Sequence, residues 1–268
     1  MIIQSGYIEK FTSDLRSAGR YAFSLQEVRN EFKQSDEAIK KAIQRLIKKG
    51  EIAIIRNGFY IIITPEYKNK GMLPPSLFVS DLMGFLNRDY YVGLLNAAAY
   101  YGAAHQQPQA FSVITIKPSL RHIERKNLKI NFYTKKEWSK SDILKRKTDS
   151  GFVNVSSPEL TALDLVFYSS QSGGFNRVIT ILEELSESIN AKRLYEAAGR
   201  FSGIAAIQRL GFILDKVLDK PKLSNPLKKY LKTINYFPVL LNPQNKKQEM
   251  HTGNEWKIVV NTNIDIDI

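Results

Sequence analysis

The segment SLQEVRNEFKQSDEAIKKAIQRLIKKGEIAIIRNGFYIII, Ser24 to Ile63, passes from a helical to a strand-like hydrophobic period. Ser24 stands where an N-cap is needed, and Glu27 three residues on completes a capping box. Leu25, Val28 and Phe32 mark one face of a first short helix. Lys33-Gln34 breaks it, and Ser35 can cap a second. That helix places Ile39, Ile43 and Leu46 on one side, with Ala42 and Ile47 beside them. Gly50 stops it, and Lys48 and Lys49 in its last turn suit the helix dipole. Ile52 to Ile55 and Phe59 to Ile63 then alternate as strands around Arg56-Asn57-Gly58, and Asn-Gly is a strong hairpin signal.

Helix, short turn, helix and β-ribbon make the pattern of a winged helix-turn-helix. If Ile39, Ile43 and Leu46 face inward, Lys40, Lys41, Gln44, Arg45 and Lys48 face outward. Such side chains pair with phosphates, and Gln44 and Arg45 can reach base edges in a major groove. Ser35 at the helix start and Arg56 and Asn57 at the hairpin tip complete the expected contact set for double-stranded DNA. The competing reading is a solvated basic face on a small helical domain. Residues 2–19 add a helix with Ile3, Tyr7, Ile8, Phe11 and Leu15 on one side, and Tyr21 to Phe23 a short extended piece.

The chain has 268 residues, 43% of them hydrophobic and 24% charged, which suits one large or two ordinary packed domains. It has no cysteine, so disulfides and thiolate metal sites are excluded. Neither a signal peptide nor a membrane-length apolar run is read, and a cytoplasmic location is expected. The net charge is +13 and unevenly spread. Residues 1–70 carry thirteen Lys and Arg against eight Asp and Glu, and residues 117–147 carry eleven against three. Residues 148–191 carry one against six, and residues 192–232 ten against three. A polyanion or an acidic partner is implied for the second half as well.

Residues 64–76, with three prolines, read as a link, and a division is expected at residue 70. The expected fold class is α+β, a winged helix-turn-helix over 1–70 followed by a larger mixed α/β domain over 71–268. Within the latter, Leu77 to Ala104 reads as two helices, the first with Phe78, Leu82, Phe85 and Leu86 inward. The second, YYVGLLNAAAYYGAA, is apolar all round, and Gln106-Gln107-Pro108 breaks the chain after it. FSVITIK (111–117) and LKINFY (128–133) read as strands. The positive block comprises Lys117, Arg121, Arg125, Lys126, Lys129, Lys135, Lys136, Lys140, Lys145, Arg146 and Lys147. It is either a solvated sheet edge or an electropositive face that meets RNA, DNA or an acidic protein. Ser157-Pro158 starts a buried helix, with Glu159 as a first-turn dipole partner and Asp164 as a hydrogen-bonding edge residue. Helices are expected over 176–185, 191–200, 204–218 and 227–231, with Gly211 marking close packing or a break. Strands are expected over 237–241 and 256–260, and NTNIDIDI (261–268) as an edge strand or a free end.

The order of these parts resembles the AbiEi family, antitoxins of type IV toxin–antitoxin and abortive phage infection systems. The hairpin GEIAIIRNGFYII, the run YYVGLLNAAAYYG with the following FSVITIK, and VSSPELTALDLVFY carry the resemblance, which covers roughly residues 20–215. It implies an autorepressor whose winged helix binds inverted repeats in its own promoter. It further implies a C-terminal domain that neutralises a nucleotidyltransferase-like toxin, directly or through the toxin's target. The family's positively charged antitoxin face maps most naturally onto the 117–147 block. No cofactor is implied, and a monomer in solution is expected. A stand-alone regulator with a ligand-sensing second domain is the alternative. Enzyme readings are weak: His105, His122 and His251 are scattered, and no nucleotide-loop or serine-hydrolase motif is present. Glu255-Trp256-Lys257 matches only the last letters of a nuclease signature.

Overall fold

Ser24 does what its place before an apolar helix demands. Its hydroxyl accepts from the Glu27 N–H at 3.1 Å, and the Glu27 carboxylate accepts from the Ser24 N–H at 2.7 Å, the reciprocal capping box. The structure, a computed structural model, describes residues 6–104, 108–245 and 253–262. Ile3, Gln106-Gln107, His105, His251 and residues 263–268 of the expected terminal strand lie outside the described residues.

The first elements are α1 (Tyr7–Ser17), β1 (Ala22–Ser24), α2 (Leu25–Glu31), α3 (Asp36–Lys48), β2 (Ile52–Arg56) and β3 (Phe59–Ile62). The three strands form an antiparallel sheet in the order β1-β3-β2. A register shift between Ile54 and Arg56 bends β2, and Gly58 turns the hairpin at φ +77°, a conformation that favours glycine. Ile8, Phe23, Val28, Ile39, Ile43, Leu46, Ile52, Tyr60 and Ile62 form one buried cluster, with Tyr7, Phe11, Leu25 and Phe32 packed on its margin. Each fully buried aliphatic here contributes about 1.5–3 kcal/mol relative to exposure.

The next elements are α4 (Val79–Phe85), β4 (Tyr90–Val92), α5 (Leu94–Tyr100), β5 (Phe111–Ile116), β6 (Ile123–Arg125), β7 (Leu128–Lys135), β8 (Ile143–Thr148) and β9 (Gly151–Ser156). They give a mixed sheet in the order β6-β7-β5-β4-β9-β8. β5 and β7 are parallel, and β6 and β7 antiparallel. Then follow α6 (Pro158–Phe167), α7 (Phe175–Leu185), α8 (Ala191–Arg200), α9 (Ile204–Phe212), a π-helical segment over Ile213–Val217, and α10 (Pro221–Leu231). The strands β10 (Val239–Leu240) and β11 (Ile258–Val259) pair in parallel.

The chain divides into two compact units. The first comprises residues 1–91, 109–136 and 145–154, and the second residues 92–108, 137–144 and 155–268. This differs from a division at residue 70, because residues 71–91 and two later segments cluster with the N-terminal helices. The expected link is not a bare tether either: Met72 and Leu73 are buried, and short 3-10 turns cover Pro65–Tyr67 and Pro75–Leu77.

Three further expectations are corrected. The apolar run from Tyr90 is not one helix. Its aromatic start forms β4, Gly93 breaks it, and only Leu94–Tyr100 is helical. Aromatic and β-branched residues suit a strand, and periodicity could not separate the two states in so uniform a run. Phe85, expected inward on α4, is 41% exposed, although its ring lies 5.2 Å from that of Phe59. Glu159 stands in the first turn of α6 as expected, and it has a second use. It is buried and accepts from the Asn190 N–H at 2.9 Å, so it holds the start of α8. Asp164 is fully buried rather than at a helix edge.

The second unit is built on α6, which is buried almost all round after its Ser157 cap and Pro158. Gly211 on α9 is required by close approach: a Cβ there would stand 2.0 Å from a ring carbon of Trp256. The Trp256 indole N–H donates to Asp215 at 3.0 Å, and the Gln208 amide donates to the Trp256 carbonyl at 2.9 Å.

Candidate nucleic-acid interface

The helix α3 carries its charge on the side its core residues leave free. Ile39, Ile43 and Leu46 are buried, and Lys40, Lys41, Gln44, Arg45 and Lys48 are exposed. Ser35 is exposed, but its hydroxyl accepts from the Ala38 N–H at 3.3 Å as the helix cap. Lys40 is paired with Asp36 one turn back at 2.7 Å, and Arg29 of α2 holds the same carboxylate. Hydrogen bonds from Lys40 and Arg29 keep the Asp36 carboxyl below the usual carboxylate range. Asp36 thus shields Lys40 and leaves Lys41, Gln44, Arg45 and Lys48 as the ready contacts. Its role was missed in the sequence, although the Asp-Lys spacing of four could have shown it.

At the hairpin tip the two expected contacts part company. Asn57 is exposed. Arg56 is not aimed outward. Its guanidinium lies 5.5 Å from the Phe132 ring centre and donates to the Arg121 carbonyl, and its Nε is buried with no partner. Burial pushes its pKa down, although guanidinium remains charged at any ordinary pH. Arg56, expected near a DNA backbone or a minor groove, is thus engaged by residues of the same unit, which local sequence could not reveal.

The 117–147 block is divided between the two units and between exposed and buried positions. Lys117, Arg121, Arg125, Lys126, Lys129, Lys136, Lys145 and Lys147 are exposed in the first unit, and Lys140 is exposed in the second. Lys135 is 8% exposed and Arg146 half-buried, so neither belongs to a free cationic surface. Lys135 ends β7 on the side of Lys129 and not on that of Leu128, Ile130 and Phe132, so strand alternation does not account for its burial. The His122 Nδ1 accepts from the Phe132 N–H at 2.9 Å, which fixes the segment before β6 against β7.

The nuclease-like letters are used otherwise. Glu255 pairs with Lys228, Trp256 is buried, and Lys257 donates to the Tyr236 carbonyl at 3.0 Å. Among the described residues no group of three His, Cys, Asp or Glu could hold a metal ion, and no helix is long and apolar enough to cross a membrane.

Residues 91–216, from β4 to the π-helical segment, match the family model of the AbiEi antitoxin C-terminal domain. The match supports an antitoxin role in a toxin–antitoxin system, a role that implies a cognate toxin and is not that of an enzyme class. This supports an AbiEi family antitoxin, as the order of its sequence features suggested. The crystal structure of the RV2827C protein from Mycobacterium tuberculosis is similar in fold, with a TM-score of 0.66 and 15% identity over 94% of this chain and 90% of that chain. No match is found among the curated proteins.

Proposed function

We propose that the antitoxin is also the repressor of its own operon. In this reading α1 to β3 act as a winged helix-turn-helix, α3 lies in the major groove of promoter inverted repeats, and β2–β3 is the wing. The observation that carries it is the exposed row of Lys41, Gln44, Arg45 and Lys48, set opposite Ile39, Ile43 and Leu46 on a capped helix. Phosphate pairing by such cations gives affinity, and Gln44 and Arg45 have the donors and acceptors to read bases. The domain over 91–216 neutralises a nucleotidyltransferase-like toxin, directly or through the toxin's target, and no cofactor takes part.

Two measurements test the two halves. In a gel shift, the full chain is expected to retard DNA from upstream of its own gene more strongly than a scrambled duplex, with affinity falling steeply as salt rises. Equal affinity for both duplexes removes the repressor reading. Co-expression with the toxin encoded beside it is expected to restore growth, and continued poisoning removes the assignment of the toxin.

A further inference from the structure

We propose that the β6–β7 hairpin is a second arm of the same DNA-binding surface, gripping duplex phosphates beyond the wing. This rests on the reading of α3 as a recognition helix. β2 is the outer strand of the first sheet and β6 the outer strand of the mixed one, and these two edges lie in contact within the first unit. The contact is pinned at both ends of β6. Before it, the Arg121 carbonyl accepts from Arg56 at the wing tip. After it, Asn127 donates to the Lys70 carbonyl at 3.3 Å, and Lys126 lies against Gly71.

Between these pins the hairpin presents Arg121, Arg125, Lys126 and Lys129, all exposed, against a single carboxylate, Glu124, which faces Lys129 in the strand register. Beside the wing, positive charge is therefore carried by this two-stranded ribbon. Its apolar side is spent on the core, since Ile123, Leu128 and Ile130 are buried. Repeated cations on a stiff, flat element suit the evenly spaced charges of a duplex backbone, and such contacts add affinity without reading sequence. Arg56 then has a positioning role: it holds the arm in place rather than touching DNA.

The test uses the full chain and two duplexes, one from upstream of its own gene and one scrambled, titrated by fluorescence anisotropy over a range of salt. The triple variant Arg125→Gln, Lys126→Gln, Lys129→Gln changes only exposed side chains, and a circular dichroism melt verifies its fold. It is expected to lose about tenfold or more in affinity for both duplexes, and its log–log salt slope should shrink by about 2–3, one lost phosphate contact per cation. Hydroxyl-radical footprinting should show the protected tract shortened on one side only. Unchanged affinity and slope in the triple variant, while Lys41→Ala with Arg45→Ala weakens binding, overturn the arm alone. If neither variant weakens binding, the recognition-helix reading falls with it. A triple variant that fails to neutralise the toxin but binds DNA normally also overturns the arm.

Discussion

The helix α3 and residues 117–147 are both rich in lysine and arginine, yet they use that charge differently. On α3 a helical period gathers the outward residues on one side, because Ile39, Ile43 and Leu46 claim the other. In the later block, strands, turns and a change of unit divide eleven cations among several elements, with Lys135 buried and Lys140 in the other unit. Charge density along a sequence becomes a surface only where one element aligns it.

The largest expected effect comes from breaking what aligns α3. Ile43 is 2% exposed, and Ile43→Ala should cost about 2–5 kcal/mol of stability, seen as a lower denaturation midpoint. A loss under about 1 kcal/mol would show that the site collapses freely and does not order the charged face. Next, Lys41→Ala with Arg45→Ala should weaken promoter binding by about 1–3 kcal/mol for a bidentate base contact, with the melting temperature nearly unchanged. An unaltered gel shift would reduce α3 to the same scattered charge as the later block. Arg56→Leu should act the other way. It loses the Arg121 bond and the Phe132 ring contact, so stability should fall by about 0.5–1.5 kcal/mol while affinity moves less. A large loss of affinity at constant stability would return Arg56 to the DNA.

The smallest effect is pH-dependent. Burial pushes the Glu27 carboxyl up, but the Arg20 hydrogen bond and the Ser24 N–H outweigh it, and its pKa is lowered in the fold. Its stabilisation is therefore complete above the ordinary Glu value of about 4.3 and fades as pH falls through the lower folded value. Glu27→Gln should cost about 0.5–1 kcal/mol at neutral pH, modest because the pair is partly exposed, and the two melting temperatures should converge in acid. A difference that persists at low pH would assign the cap's strength to shape rather than charge.

What could be read from the sequence was what neighbours in the chain decide. Ser24 and Glu27, Ser35, Gly50 and Asn57-Gly58 each announce a local geometry, and the helices and hairpin stand where those signals put them. Ser157-Pro158 announces α6 in the same way. Distant partners were illegible. Nothing near Arg56 foretells Phe132, nothing near Glu159 foretells Asn190, and nothing in the 64–76 link foretells that Met72 and Leu73 are buried. The 91–216 match and the order of the motifs agree on the antitoxin domain. The cations within it had to be placed one at a time.

The seat of Trp256 on Gly211 has a consequence for biosynthesis. The indole fills a notch left by a residue without a side chain, long after that residue has been translated. Until residues 256–259 leave the ribosome, α9 and the segment after it keep an open greasy slot, a natural handle for chaperones and proteases. A message cut short before that point would yield a protein whose N-terminal helices could close while its antitoxin half stayed ajar. Such a product would stay open to proteolysis at that slot.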